Sequence, residues 1–326
     1  MSKTRSPLSI FNLKSQMRLV FCGTPQFAVP SLGALLDAGF DIPLIVSQPD
    51  RPSGRGMQVA PTPVKQLALA CNLEVTQPDK IRNNAEFRSR LEQLAPEAIV
   101  VVAYGRIIPQ WMIDLPPLGN INGHASLLPK YRGAAPIQWA IASGESVTGV
   151  TTMRIDSGLD TGDMLMKREI PILPEDTAVS LSPKLANLTA ELLVETLSAL
   201  RDGRIRPQKQ DDSQATLAPI LKKEDGRIDF RRSATDICNR LRGFQPWPGA
   251  YTSFRGKNLN VTAAQPVPQV GLDSGVLQVD IGRLLVGCGQ QTALELLELQ
   301  PEGKKRMSAR DFLNGYRLQN GERLGE

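Results

Sequence analysis

The chain holds one histidine, His124, among 326 residues, so any step that needs an imidazole has only one address. It lies in the run Gly119-Asn-Ile-Asn122-Gly-His124-Ala-Ser126-Leu-Leu-Pro129. If that run is extended, Asn122 and His124 project from one face, within about 7 Å along the strand. A carboxamide and an imidazole so placed can converge on one oxygen. An isolated Asn-x-His pair is more often a structural histidine beside a turn asparagine, so the neighbouring residues must decide.

Downstream stands Arg154-Ile-Asp156-Ser-Gly158-Leu-Asp160-Thr-Gly162-Asp163. Its aspartates could cap their own backbone in turns. Their spacing is not that of a calcium loop and the sole histidine is already claimed, so no metal is expected. If this loop follows a strand, Asp160 reaches the sheet's carboxyl edge beside His124. Carboxylate, imidazole and amide donor together suit general acid-base chemistry with stabilisation of an oxyanion. No G-x-S-x-G elbow exists and no cysteine neighbours His124, which disfavours a covalent intermediate. Direct acyl transfer between two held substrates fits these residues better, because orientation supplies much of the acceleration. Phe21-Cys-Gly23-Thr-Pro25 is neither a dinucleotide fingerprint nor a Walker loop, so a nicotinamide cofactor is not expected.

The elements that must position these groups are legible in outline. Leu19–Cys22, Ile42–Val46, Ala98–Ala103 and Val150–Ile155 are short apolar runs, and a helical pattern over Ala28–Asp37 stops at Ala38-Gly39. Strands spaced by helices predict βαβ units and an α/β, Rossmann-like, mostly parallel sheet. Lys130-Tyr-Arg132-Gly133-Ala-Ala-Pro136 leads into a short helix with Pro136 at its first position and Gly144 past its end. His124 thus falls in the strand-to-helix region where open α/β sheets place ligands. Leu181–Leu200 reads as a long helix ended by Gly203, and the polar residues 204–219 read as an interdomain linker. Short β-type runs follow at 251–254, 259–262, 276–279 and 283–286, predicting a small antiparallel barrel or sandwich.

Composition sets the limits. With 41% hydrophobic and 22% charged residues the chain is globular, and its length suits two domains. Residues 1–200 hold 18 basic and 18 acidic side chains, residues 201–326 hold 20 and 15, so the whole excess of +5 is C-terminal. A basic part beside a neutral one suggests that the former meets a polyanion, unless it is simply a solvated basic surface. Cys22, Cys71, Cys238 and Cys288 make no C-x-x-C pair, which fits a reducing compartment. No apolar run approaches the roughly 20 residues of a membrane span. Met1–Gln16 carries Lys3, Arg5 and Lys14 without an acid; this reads as a loose terminus more than a transit peptide, with Met17 a candidate start.

Three motifs carry a resemblance. Asn122-Gly-His124, Ser126-Leu-Leu-Pro129-Lys-Tyr-Arg132-Gly133 and Asp156-Ser-Gly158-Leu-Asp160-Thr-Gly162 match, in order, the N-x-H, S-L-L-P-x-x-R-G and D-x-G-x-D-T-G of the folate-dependent formyltransferases. Over residues 18 to 318 the chain is similar to the branch that formylates methionyl-tRNA. Gly123 stands where the family commonly has valine, and Ala125 where it has glycine. The resemblance implies that Asn122, His124 and Asp160 are catalytic and that Ser126, Leu127, Leu128 and Pro129 line a tetrahydrofolate site. It implies 10-formyltetrahydrofolate as a consumed cosubstrate, with no tightly bound cofactor.

Gln48-Pro-Asp50-Arg51-Pro-Ser-Gly54-Arg55-Gly56 resembles the loop this branch presents to the tRNA acceptor arm, which implicates Arg51 and Arg55. Glu224–Asp229, Arg242–Ala250 and Gln300–Ser308 resemble the family's second domain, a small OB-like β-barrel. Lys304, Lys305 and Arg306 become candidate phosphate contacts, and Trp247, between prolines, a packed corner. The implied plan is an N-terminal extension at 1–17, a catalytic domain at 18–203, a linker at 204–222 and a tRNA-binding barrel at 223–326. The implied partners are initiator methionyl-tRNA and folate, without DNA or membrane, for a monomer in a bacterial-type cytoplasm, a mitochondrial location staying open. Two alternatives remain: a sister formyltransferase or hydrolase acting on a small amine or ribonucleotide, and a noncatalytic RNA-binding module.

Overall fold

The computed structural model describes residues 17–53, 58–268, 271–319 and 321–326. The chain forms two compact units, one running through Asn122 together with Leu193–Arg206, the other comprising Gly123–Leu192 and Pro207–Glu326.

The first unit contains β1 (Arg18–Gly23), β2 (Asp41–Val46), β3 (Arg51–Ser53), β4 (Gln58–Ala60), β5 (Val75–Thr76), β6 (Ala98–Val102) and most of β7 (Asn120–His124). Five of them lie parallel in the order β5-β2-β1-β6-β7, and β3 pairs with β4 as a separate hairpin. This is the winding expected of a Rossmann-like sheet, with its direction reversing between β1 and β6, where such sheets open a ligand crevice. Helices α1 (Val29–Asp37), α2 (Pro63–Ala70), α3 (Ala85–Leu94) and α4 (Gln110–Ile113) lie between the strands in sequence. All five residues of β6 are buried, as a central parallel strand requires. Helix α1 stops at Ala38 because Gly39 adopts a left-handed φ of +80°, which a side chain would disfavour.

The second unit holds α5 (Pro136–Ala142), the antiparallel pair β8 (Val147–Arg154) and β9 (Met164–Pro171), and the start of α6 (Ala178–Arg201). β7 and α6 each pass from one unit to the other. Helix α7 (Ala234–Gly243) packs on α5, and Gly243 permits the approach: a Cβ there would lie 2.6 Å from the Gln138 carbonyl oxygen. Trp139 and Phe244 meet edge to face at 5.2 Å across this contact.

Strands β10 (Ala250–Phe254), β11 (Lys257–Val267), β12 (Leu277–Asp280), β13 (Arg283–Gly287), β14 (Ala293–Pro301) and β15 (Met307–Ser308) form an antiparallel sheet ordered β10-β11-β14-β13-β12, with β15 on β14. Helix α8 (Ala309–Tyr316) covers it through Phe312, which packs with Leu259, Leu284 and Leu299. The last residues join the two edges. Leu324 pairs with Phe254 beside β10 while its N–H donates to the Gly275 carbonyl at 2.9 Å, and Leu277 N–H donates to Glu322 at 2.7 Å. The sheet thereby closes as the expected barrel, without exposed strand edges at this seam.

Two expectations are revised. Trp247 is not a packed corner: it is 55% exposed, between the cis peptides Gln245-Pro246 and Trp247-Pro248. The segment read as a polar linker is not a loose tether, because Gln208 exchanges two backbone hydrogen bonds with Met164, and Ala218 N–H donates to the Arg132 carbonyl at 2.7 Å. The side chains of Gln210, Asp212 and Thr216 pair with residues far away in the chain, whereas its other polar side chains are exposed.

Candidate active site

His124 ends β7, 6% exposed, its ring held at Nε2. Nε2 lies 2.9 Å from the Tyr131 carbonyl oxygen. A carbonyl only accepts, so Nε2 carries a hydrogen and Nδ1 is the nitrogen left for chemistry. Nδ1 faces Asp160 Oδ2 at 3.7 Å. That separation is longer than a hydrogen bond; catalytic pairs are often this loose before substrate arrives. Asn122 is half-buried on the same extended strand, two residues before His124, and therefore on the same strand face.

The loop after β8 presents Asp160 by local chemistry. The Asp156 carboxylate accepts from Gly158 N–H at 3.0 Å and from the Thr161 hydroxyl at 2.7 Å, folding the loop on itself. Glycine is required at 158 and 162, since a Cβ would strike Thr161 Oγ1 in one case and the Arg154 carbonyl oxygen in the other. Asp160 itself takes a left-handed φ of +52°, a region that aspartate tolerates better than most residues. Its Oδ2 also accepts from Gly133 N–H at 2.8 Å, which aims the carboxylate at the ring.

Tyr131, the acceptor for Nε2, is also left-handed, φ +61°. Burial pushes its phenol up to about 12, so the hydroxyl stays neutral and donates to Glu145 Oε1 at 2.9 Å. Sequence reasoning missed Tyr131, Gln210 and Thr216. Gln210 Nε2 donates to the carbonyls of Asp160 and Gly162, and Thr216 Oγ1 accepts from Tyr131 N–H, across 48 to 85 residues of sequence. No short motif signals such pairings.

The Ser126–Pro129 segment is partly spent on internal packing. Ser126 donates to the Lys130 carbonyl at 2.6 Å, and Leu128 is buried against Met153 and Met164. Thr151 Oγ1 donates to Ser126 O and accepts from Leu128 N–H, which fixes the backbone. Leu127 and Pro129 keep some exposure.

Arg51 is exposed at the start of β3, whereas Arg55 lies outside the described residues. Lys304, Lys305 and Arg306 are exposed in the turn between β14 and β15, with Arg306 3.5 Å from Glu298. Among the described residues no group of three acidic, histidine or cysteine side chains could hold a metal ion, and no helix is long and apolar enough to cross a membrane.

A mostly parallel Rossmann-like sheet followed by an antiparallel barrel agrees with what the comparisons find. The formyl transferase family matches residues 17–197, and the family of its C-terminal domain matches residues 220–317. The chain belongs to the formyl transferases. It is 66% identical over 309 residues to the methionyl-tRNA formyltransferase of Koribacter versatilis, spanning 95% of this chain and 99% of that protein. It is 62% identical over 310 residues to the enzyme of the same name from Acidobacterium capsulatum, spanning 95% and 100%. Among solved structures it resembles a sugar 3N-formyl transferase, WlaRD, at TM-score 0.65 and 18% identity, covering 89% of this chain and 99% of that one. At that identity the likeness concerns the fold alone.

Proposed function

We propose that this protein transfers the formyl group of 10-formyltetrahydrofolate to the α-amino group of initiator methionyl-tRNA. The observation that carries the reading is the approach of His124 Nδ1 to Asp160 Oδ2, 3.7 Å, in a chain this similar to two proteins named for that reaction. Asn122, His124 and Asp160 act as the catalytic group. The acceptor amine has an ordinary pKa of about 7.7 to 8 and must shed a proton before attack. Its lone pair then bonds to the formyl carbon, whose oxygen becomes an oxyanion. The Asn122 amide and the protonated Nδ1 of His124 donate to that oxygen, since Nε2 is occupied by Tyr131. Asp160, directly or through one water, takes the proton that the amine releases. Collapse breaks the bond to folate N10, which departs with the second proton that the attacking nitrogen loses, so formyl and hydrogen exchange places without redox change.

Ser126, Leu127, Leu128 and Pro129 bound the folate, largely through their backbone and the outer faces of Leu127 and Pro129. Arg51, Arg55, Lys304, Lys305 and Arg306 contact the tRNA. The division into residues 1–17, 18–203, 204–222 and 223–326, a monomeric state, a cytoplasmic location and the absence of a DNA partner belong to the same reading.

The test is an acceptor comparison. Purified protein is incubated with 10-formyltetrahydrofolate labelled in the formyl group and, separately, with initiator methionyl-tRNA, glycinamide ribonucleotide or an amino sugar. The expected result is label on methionyl-tRNA alone. Label on a small amine would favour a sister formyltransferase, release of free formate a hydrolase, and tRNA binding without transfer a noncatalytic module.

A further inference from the structure

We propose that the segment Gln208–Ala218 belongs to the reaction machinery, with Gln210 and Thr216 as positioning residues for the His124–Asp160 pair; this rests on the transfer reaction proposed above. Gln210 uses its whole amide. Its Nε2 donates to the carbonyls of Asp160 and Gly162, both at 2.8 Å, and its Oε1 accepts from Arg132 Nε at 3.0 Å and Nη2 at 2.8 Å. A guanidinium only donates, so Oε1 must face Arg132 and the N–H pair must face the two carbonyls. Those carbonyls flank Thr161, so one side chain clamps the turn that carries the Asp160 carboxylate. Arg132 is itself buried and anchored to the same segment by Asp212 Oδ1 at 2.7 Å.

Thr216 does the corresponding work for the ring. Its Oγ1 accepts from Tyr131 N–H at 2.8 Å, and the Tyr131 carbonyl accepts from His124 Nε2 at 2.9 Å. Asp160 and Tyr131 both hold left-handed conformations, φ +52° and +61°, which persist only where the surroundings impose them. Each is imposed in part by one polar side chain of this segment. A mere tether between domains would need neither side chain. Displacing a catalytic group by about 1 Å costs roughly 100-fold in rate, so release of either clamp should fall on the chemical step and not on substrate capture.

The test uses the full-length protein and three variants. Gln210→Glu keeps the acceptor for Arg132 but removes both donors. Thr216→Val removes the hydroxyl at nearly constant volume, and Thr216→Ser restores it. In Gln210→Glu and Thr216→Val, single-turnover formylation should fall about 10-fold or more, with KM for 10-formyltetrahydrofolate changed by less than about threefold, and Thr216→Ser should recover most of the rate. Because His124 is the sole histidine, protein labelled with 15N-histidine gives one imidazole signal pair. Its Nε2 shift should move in Thr216→Val and return in Thr216→Ser. An unmoved imidazole spectrum in Thr216→Val, or a rate loss that Thr216→Ser fails to restore, overturns the proposal. If the wild-type protein formylates no acceptor, the proposed function fails, yet the spectrum still decides whether this segment positions the ring. Should Gln210→Glu not fold, the Thr216 pair decides alone.

Discussion

At the scale of single residues, the site depends on which atoms are already committed. The Tyr131 carbonyl takes Nε2 of His124, and Gly133 N–H takes part of the Asp160 carboxylate, so Nδ1 and Asp160 Oδ2 are left facing each other. Type and spacing made Asn122, His124 and Asp160 candidates, because alternation along a strand and the end of a strand are local properties, and the family resemblance supplied their implied roles. The left-handed conformations of Asp160 and Tyr131 were not, since the contacts that enforce them come from residues 210 and 216. Glycine at 162 follows from its closeness to the Arg154 carbonyl. Gly162→Ala should lower stability by about 1 to 3 kcal/mol through overpacking and reduce transfer further by moving Asp160. Denaturant melts and single-turnover rates measure the two effects; an alanine variant equal to wild type in both would show that the loop is not so constrained.

At the scale of elements, the turn into α6 shows how a buried charge is retained. Burial acts against ionisation of Asp176, but hydrogen bonds from Lys184, Leu173 N–H and Ser180 outweigh it and hold the carboxyl below its usual range. Arg242 of α7 adds a bond at 2.8 Å to the Asp176 carbonyl, tying helix to turn. Because the folded value is lowered, this stabilisation is complete above the ordinary carboxylate range and is lost as pH falls through the lowered value. Asp176→Asn should cost about 2 kcal/mol near pH 7, with the gap to wild type closing below about pH 4. Urea denaturation at both pH values checks this, and a gap independent of pH would contradict it. The barrel's closure was not legible, because Arg323 and Leu324 lack the alternation of a strand and pair through isolated bridges. Deleting residues 321–326 removes those bonds and the buried Leu324 side chain, a loss of roughly 4 kcal/mol. Thermal melting should drop by several degrees; an unchanged midpoint would mean that the terminus is incidental to the barrel.

At the scale of the whole molecule, the uneven charge is the feature that sequence alone made plain. Residues 201–326 carry the entire net charge of +5, and Lys304 and Lys305 are exposed on the turn after β14. If each meets a phosphate, the double alanine variant should bind initiator tRNA less tightly and flatten the plot of log affinity against log salt by about two units of slope. An unchanged slope would place these lysines away from the RNA. Arg55 is a sharper case: its replacement by alanine should weaken use of methionyl-tRNA far more than folate binding, and equal losses would count against a role at the acceptor arm. The most direct trial of the central claim is single-turnover transfer from formyl-labelled 10-formyltetrahydrofolate to initiator methionyl-tRNA, run with wild type and His124→Ala at saturating substrates. The wild type should formylate the tRNA to completion and the variant at least about 100-fold more slowly; a variant within a few-fold of wild type would contradict the account.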